Sequence, residues 1–310
     1  MIVTAPIVLF VYNRPNHTLK TINSLKNNDL AKSSDLYIFS DGPKNSSQEE
    51  NVNNVRKIIK DVNGFRNIYI KEEKRNKGLA ASIIDGVTKI INGHEKIIVL
   101  EDDLITSPFF LKYMNEALDY FKNTENIWSI SGYTPNIKLP QDYTSDIYLT
   151  PRACSWGWAT WKNRWENIDW NISDFKDFKH SKLEKKLFNI PGNDMVQMLN
   201  DQVNGHINSW AIRWCYNQFK NQSFTVYPTE ALVKNIGTKG ESTHGSISNR
   251  FETHLSHKEK IKFEHVKVDY RVLDAFSKIY NLRFINYISI LFKKVGLFKY
   301  AKKYYKLIMR

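Results

Sequence analysis

The sequence predicts an α/β protein built on a doubly wound, mostly parallel sheet flanked by helices. Three observations carry that expectation. Short apolar runs rich in β-branched or aromatic residues, Ile7–Tyr12, Leu36–Ser40 and Ile97–Leu100, recur with room for a helix between them. The intervening segments His17–Asn27, Ser46–Val62 and Leu79–Ile91 repeat apolar residues at helical period. Polar breaks close the runs, at Asn13-Arg14-Pro15, Asp41-Gly42-Pro43 and Glu101-Asp102-Asp103.

Taken in order, Ile7–Tyr12 is a first core strand, and the lack of a basic stretch before it argues against a signal peptide. His17–Asn27 follows as a helix, with Asn16 as N-cap and Leu19, Ile22 and Leu25 on one face. Leu36–Ser40 is the second strand. Ser46–Val62 is a polar-faced helix with Val52, Val55, Ile58 and Ile59 inward, and Phe65–Lys71 is the third strand. Leu79–Ile91 is a helix leading into Ile97–Leu100, an apolar run that suits a strand buried on both faces. Ser107-Pro108 reads as the N-cap and first position of a helix that ends before a loop at Ser129–Pro135.

Glu101, Asp102 and Asp103 stand at the carboxyl end of the central strand. Three adjacent carboxylates repel and call for a counter-charge, and hard oxygen ligands suit Mn²⁺ or Mg²⁺. An extended backbone there would send Glu101 and Asp103 to one side and Asp102 to the other. Open sheets of this kind bind ligands outside the carboxyl ends of their strands. Arg14, Asp41 and the triplet all fall on that rim. Asn76-Lys77-Gly78 joins them at a helix start, where free N–H groups favour an anion. Together they describe a site for a nucleotide diphosphate. The absence of GxxxxGK[ST] and of GxGxxG after the first strand argues against a P-loop ATPase and a nicotinamide enzyme.

The segments PIVLFVYNRP, FSDGP, NKGLAA and VLEDDLITSPFFLKYMNEAL, in that order, resemble the GT-A (Rossmann-like) nucleotide-sugar glycosyltransferases. The pattern is nearest to bacterial sugar transferases similar to the animal N-acetylglucosaminyltransferase that initiates complex N-glycans. The resemblance runs from about Pro6 to His244. It implies a UDP-sugar donor, a saccharide or lipid-linked acceptor, inversion at the anomeric carbon and a role in bacterial surface polysaccharide synthesis. By that resemblance Asp103 binds the metal, Asp102 lies near the ribose and Glu101 near the transferred sugar. Arg14 meets the nucleotide and Asp41 accepts a hydrogen bond from the base.

Ile147–Trp170 holds five of the eight tryptophans. Trp158, Trp161 and Trp165 share one helical face and read as core. Trp156 and Gly157 precede them and suit a sugar-stacking loop; related enzymes place a glycine-tryptophan loop beside donor and acceptor. Leu183–Asn189 and Asp194–Val203 are polar and helix-compatible. Ser209–Phe219 is a bulky helix with Arg213 embedded, and a buried arginine needs a carboxylate or phosphate. An inverting transferase also needs a base. Related enzymes carry an aspartate where this chain has Asn208 and Ser209, so Asp201 is the substitute candidate. Thr225–Thr229 is a strand. Asn235–Ser246 is a glycine-rich lid in which His244, with Glu241 nearby, is a second candidate metal ligand.

The chain has 310 residues and 42% hydrophobic content, enough for one large domain with or without an appendage. Two cysteines are too few for a disulfide framework and fit a reducing cytoplasm. Of the net charge of +13, residues 271–310 carry +9, from ten Lys or Arg and one acid. We divide the chain into a catalytic domain, residues 1–267, and a basic aromatic helical tail, 268–310. Residues 1–133 form the nucleotide-sugar half of the domain and 134–267 the acceptor half. The tail fits an anionic membrane surface, which places the protein on the cytoplasmic face of the membrane. No nucleic-acid motif accompanies it. A nucleotidyltransferase, or a non-catalytic nucleotide-sugar-binding module at the membrane, satisfies the same residues.

Overall fold

The computed structural model describes residues 4–237 and 249–282. In its first half β1 (Ile7–Val11), α1 (Pro15–Lys26), β2 (Asp35–Ser40), α2 (Glu49–Lys60), β3 (Asn67–Glu72), α3 (Leu79–Ile91) and β4 (Lys96–Glu101) alternate. These strands pair in parallel in the order β3-β2-β1-β4. Alternation along each strand feeds two cores. Ile7, Leu9, Ile98 and Leu100 pack with Ile22 and Leu25 of α1 and Val55 and Ile59 of α2; Val8, Phe10, Ile97 and Val99 pack with Ile83 and Val87 of α3. Both faces of β1 and β4 are covered, which is why those two read as unbroken apolar runs, whereas the edge strand β3 is mostly exposed.

The second half adds β5 (Leu104–Thr106), α4 (Phe110–Tyr120), β6 (Ile127–Ser131), β7 (Ile147–Thr150), β8 (Trp158–Trp161) and α5 (Lys162–Trp165). Then come α6 (Phe175–His180), α7 (Lys182–Phe188), α8 (Met195–Val203), α9 (Trp210–Lys220), β9 (Phe224–Pro228), β10 (Val233–Asn235) and α10 (Tyr270–Tyr280). The sheet has eight strands, continuing β4-β8-β6-β9-β7, with β8 and β7 running against the rest. The doubly wound, mostly parallel architecture is the one the sequence predicts.

Helix α1 begins at Pro15, so Asn16 is its second residue and not its N-cap, and four further details differ from expectation. Helix α4 starts at Phe110, not at Pro108: Ser107 and Pro108 lead into it through a turn in which the Phe110 N–H donates to the Ser107 carbonyl at 3.1 Å, while the Ser107 hydroxyl donates to the Ser256 carbonyl at 2.7 Å. Ser129–Ser131 lies in a strand rather than a loop, and the Ser129 hydroxyl is satisfied inside the sheet by Thr225 at 2.7 Å. Trp158 and Trp161 are buried, but on a strand whose two faces both lie in core. Trp158 stacks with Trp165 and Trp210, while Trp161 packs on the other face and donates its ring N–H to the Leu118 carbonyl at 3.0 Å. A strand buried on both faces has no diagnostic period, so the spacing was open to a helical reading.

The fourth concerns the tail. Helix α10 is docked, with Val272, Leu273 and Phe276 buried and the Phe276 ring against Tyr148 and Tyr227. Asp269 caps it, and Tyr280 lies 4.0 Å beneath the Arg152 guanidinium, which forms two bonds to Asp194 at 2.7 and 2.9 Å. A boundary at 267/268 therefore falls before a packed helix rather than before a free appendage. Glu241, His244 and residues 283–310 lie outside the described residues. Among the described residues no helix is long and apolar enough to cross a membrane.

Candidate functional site

Strand order reverses between β1 and β4, and open sheets of this kind bind ligands outside the carboxyl ends of their strands at such a reversal. The register pairs Phe10 with Glu101, so the residues after β1 and those after β4 leave the sheet side by side. The Arg14 guanidinium reaches Asp103 Oδ2 at 2.8 Å. The strand ends at Glu101, and the chain turns at once. Asp102 is buried and points at the β1–α1 connection, accepting the Tyr12 N–H at 3.1 Å. Thr21 fixes the turn by donating to the Asp102 carbonyl at 2.9 Å and accepting the Leu104 N–H at 3.1 Å.

Among the described residues Arg14 is the cation paired with this triplet. Burial, then the neighbouring Asp103 and Asp102 charges, push Glu101 well above the ordinary carboxylate range. Burial and Asp103 push Asp102 up to about 7, against the opposing pull of the Tyr12 N–H and Arg14. One guanidinium does not balance three crowded carboxylates.

Strand β10 pairs antiparallel with β5, matching Asn235 to Leu104, and brings a second segment onto Asp103. Asn235 Nδ2 approaches Asp103 Oδ1 at 3.4 Å, its Oδ1 accepts the Gly237 N–H at 2.8 Å, and the Ile236 N–H donates to the Asp103 carbonyl at 2.8 Å. A Cβ on Gly237 would stand 2.0 Å from Asp103 Oδ2 and 2.8 Å from Arg14 Nη1, so close an approach that only glycine fits undisturbed. Asn235 and Gly237 are site residues that sequence reasoning missed individually; their signal was the NIG at the head of the expected lid.

Trp156 and Gly157 lie alongside. Gly157 has φ 63°, and a Cβ there would meet Val233 Cγ2, at the start of β10, at 2.7 Å. The half-buried Trp156 ring stands edge-on to Tyr133 at 4.7 Å and to Phe251 at 5.9 Å.

Asp41, at the end of β2, closes a second cluster. Its Oδ1 accepts the N–H groups of Gly42 and Lys77, both at 2.9 Å. Its Oδ2 accepts the Gly78 N–H at 2.9 Å and Asn76 Nδ2 at 3.0 Å. The N–H groups of Lys77 and Gly78, expected to be free for an anionic ligand, are thus held by an anion of the protein itself. Gly42 allows the approach, since a Cβ there would lie 2.5 Å from the Arg75 backbone.

The remaining candidates sit elsewhere. Arg213 donates to the carbonyls of Ser209 and Trp170 and to Asn208 Oδ1, at 3.2, 3.3 and 3.2 Å, and burial lowers its pKa. Among the described residues its hydrogen-bond partners are these three oxygens, and no carboxylate pairs with it. Ser209 caps α9, accepting the Ile212 N–H at 3.3 Å. Asp201, on α8, accepts from Gln197 at 3.1 Å and lies 3.3 Å from His206 Nδ1. No described contact joins Asp201 or Arg213 to the triplet.

Among the described residues no three His, Cys, Asp or Glu side chains converge in a metal-holding group. The acidic triplet offers hard oxygen donors of the kind Mn²⁺ and Mg²⁺ take, and the Asp103 side chain is part-exposed at the rim.

No protein-family profile matches this sequence, and no curated protein does. Among solved structures, a mannosyltransferase from Pyrobaculum calidifontis in complex with GDP-Man and Mn²⁺ is 11% identical, with a TM-score of 0.36 over 52% of this chain. This chain spans 45% of that protein's length. A UDP-glucose pyrophosphorylase complexed with UDP-glucose is 12% identical, with a TM-score of 0.34 over 72% of this chain and 90% of its own. TarS of S. aureus is 10% identical, with a TM-score of 0.36 over 74% of this chain and 36% of its own. Likenesses this distant carry no conclusion about activity, which rests on the rim geometry.

Proposed function

We propose that this chain is a glycosyltransferase that moves a sugar from a UDP-sugar to a saccharide or lipid-linked acceptor. The observation that carries the reading is the Arg14–Asp103 pair at the reversal between β1 and β4, beside two further crowded carboxylates. A guanidinium is matched to diphosphate oxygens, and an under-compensated acidic rim is matched to the cation that accompanies them.

In this reading Arg14 binds the diphosphate, and Asp103 holds Mn²⁺ or Mg²⁺ while Asn235 orients it. The cation, when bound, offsets the charge that develops on the departing diphosphate. Asp102 faces the ribose and Glu101 the transferred sugar. Asp41, Asn76 and Gly78 shape the end where the base lies. Trp156 offers an aromatic edge to the sugar beside Gly157, and Arg213 lines the acceptor side. Asp201 takes the proton of the acceptor hydroxyl, with inversion at the anomeric carbon, and His244 is a second metal ligand. The likeness to the animal N-acetylglucosaminyltransferase, the role in surface polysaccharide synthesis and the place on the cytoplasmic face of the membrane belong to this proposal.

The test is product identification with a UDP-sugar panel, Mn²⁺ and saccharide acceptors. Release of UDP with a glycosyl mass gain on the acceptor is expected. Pyrophosphate released from UTP and a sugar phosphate would identify a nucleotidyltransferase instead, and donor binding without turnover would identify a binding module.

A further inference from the structure

Helix α7 has two apolar sides. One buries Phe188 against Phe178 of α6 and Tyr216 and Phe219 of α9. The other carries Leu183 and Leu187, continued past the helix end by Ile190, and these are 65%, 42% and 43% exposed. Leu183 and Leu187 are four apart on one side of α7, and Ile190 follows in the turn, its N–H donating to the Leu187 carbonyl at 3.1 Å. Exposed Lys179, Lys182 and Lys186 border them. Of the nearby acids, Glu184 is turned to Lys220 at 3.1 Å, and Asp177 is exposed on α6. The border is net basic.

The described chain also ends here. The Asn193 N–H donates to Asn281 Oδ1 at 3.0 Å, and Asn193 Oδ1 accepts the Leu282 N–H at 2.6 Å. Leu282 is thereby held three residues beyond Ile190, and residues 283–310 continue with eight Lys or Arg and no acid. Like charge disfavours that segment as the cover of a lysine-bordered surface. It favours a shared anionic partner for both.

We propose that Leu183, Leu187 and Ile190, with their lysine border, form a docking face for the headgroup region of an anionic bilayer. The aliphatic side chains enter the headgroup boundary, and the lysines lay their stems along it with their ammonium groups on lipid phosphates. The proposal does not depend on the glycosyl-transfer reading.

The test places an environment-sensitive NBD label at position 183 of the full chain through Leu183→Cys, with circular dichroism as the check on folding. Vesicles of phosphatidylcholine with phosphatidylglycerol should shift the label's emission to the blue and brighten it, and pure phosphatidylcholine should do so weakly. Lys182→Glu with Lys186→Glu should lower partition to the anionic vesicles roughly tenfold or more, because each basic residue near such a surface is worth about 1 kcal/mol. Unchanged emission while the chain sediments with anionic vesicles would overturn the proposal and leave binding to another part of the chain. Emission already blue without lipid would also overturn it, pointing to a second copy if it depends on protein concentration and to cover by residues 283–310 if it does not.

Discussion

Replacing Asp41 by asparagine changes one oxygen into an amide and little else. In the native protein each carboxylate oxygen accepts two N–H groups at 2.9 to 3.0 Å. The new NH₂ would face two donors on one side, and the negative charge they share would be gone. Each charge-assisted bond is worth about 1.5–3 kcal/mol. Water reaches exposed Lys77 and recovers part of the loss, so the net cost should be about 2–4 kcal/mol. Urea denaturation of Asp41→Asn at neutral pH reads this directly, and faster amide exchange at Lys77 and Gly78 should accompany it. Because the four acceptor positions are filled from within the chain, nucleotide affinity should fall equally for UDP and GDP. A cost below about 0.5 kcal/mol would refute the clamp. A loss confined to UDP would show that Asp41 reads the base.

Asp103→Ala should abolish Mn²⁺-dependent UDP binding in calorimetry while shifting stability by no more than about 1 kcal/mol, because its pair with Arg14 is part-exposed at the rim. Phe276→Ala should cost about 3–5 kcal/mol in urea denaturation, since that ring is fully buried; unchanged stability would mean that α10 is not part of the folded unit. Arg66 beside Asp35, chiefly through its hydrogen bond, holds that carboxyl below its usual 3.8. The pair's stabilisation is therefore present above about pH 4 and is lost as pH falls through the lowered folded value. Arg66→Ala should be less stable than the parent at neutral pH and equal to it in strong acid. A deficit independent of pH would contradict the assignment.

The first half of the fold was legible because each strand there ends in a breaker and each helix has one apolar stripe. Leu79–Ile91 was bounded to the residue for that reason. The tryptophan segment misled because Trp158 and Trp161 sit three apart on a strand with core on both faces, which mimics helical spacing. At the rim, Arg14 and the acidic triplet stood out as charge at strand ends. Asn235 and Gly237 did not, because they reach Asp103 only through pairing of β10 with β5, more than a hundred residues away. The capture of the Lys77 and Gly78 N–H groups by Asp41 was likewise invisible, since it depends on how the end of β2 meets the start of α3. Docking of α10 was masked by the charge of the residues beyond it. Phe276 buries the same aromatic surface that a membrane-facing helix would show.

The central claim, a nucleotide diphosphate held where β1 and β4 diverge, is tested most directly by a crystal structure grown with UDP and Mn²⁺. The account predicts diphosphate density beside the Arg14 guanidinium, with the cation on Asp103 and the Arg14–Asp103 bond of 2.8 Å broken or lengthened. UDP bound away from the carboxyl ends of β1 and β4, or a cation with no ligand from the triplet, would contradict it.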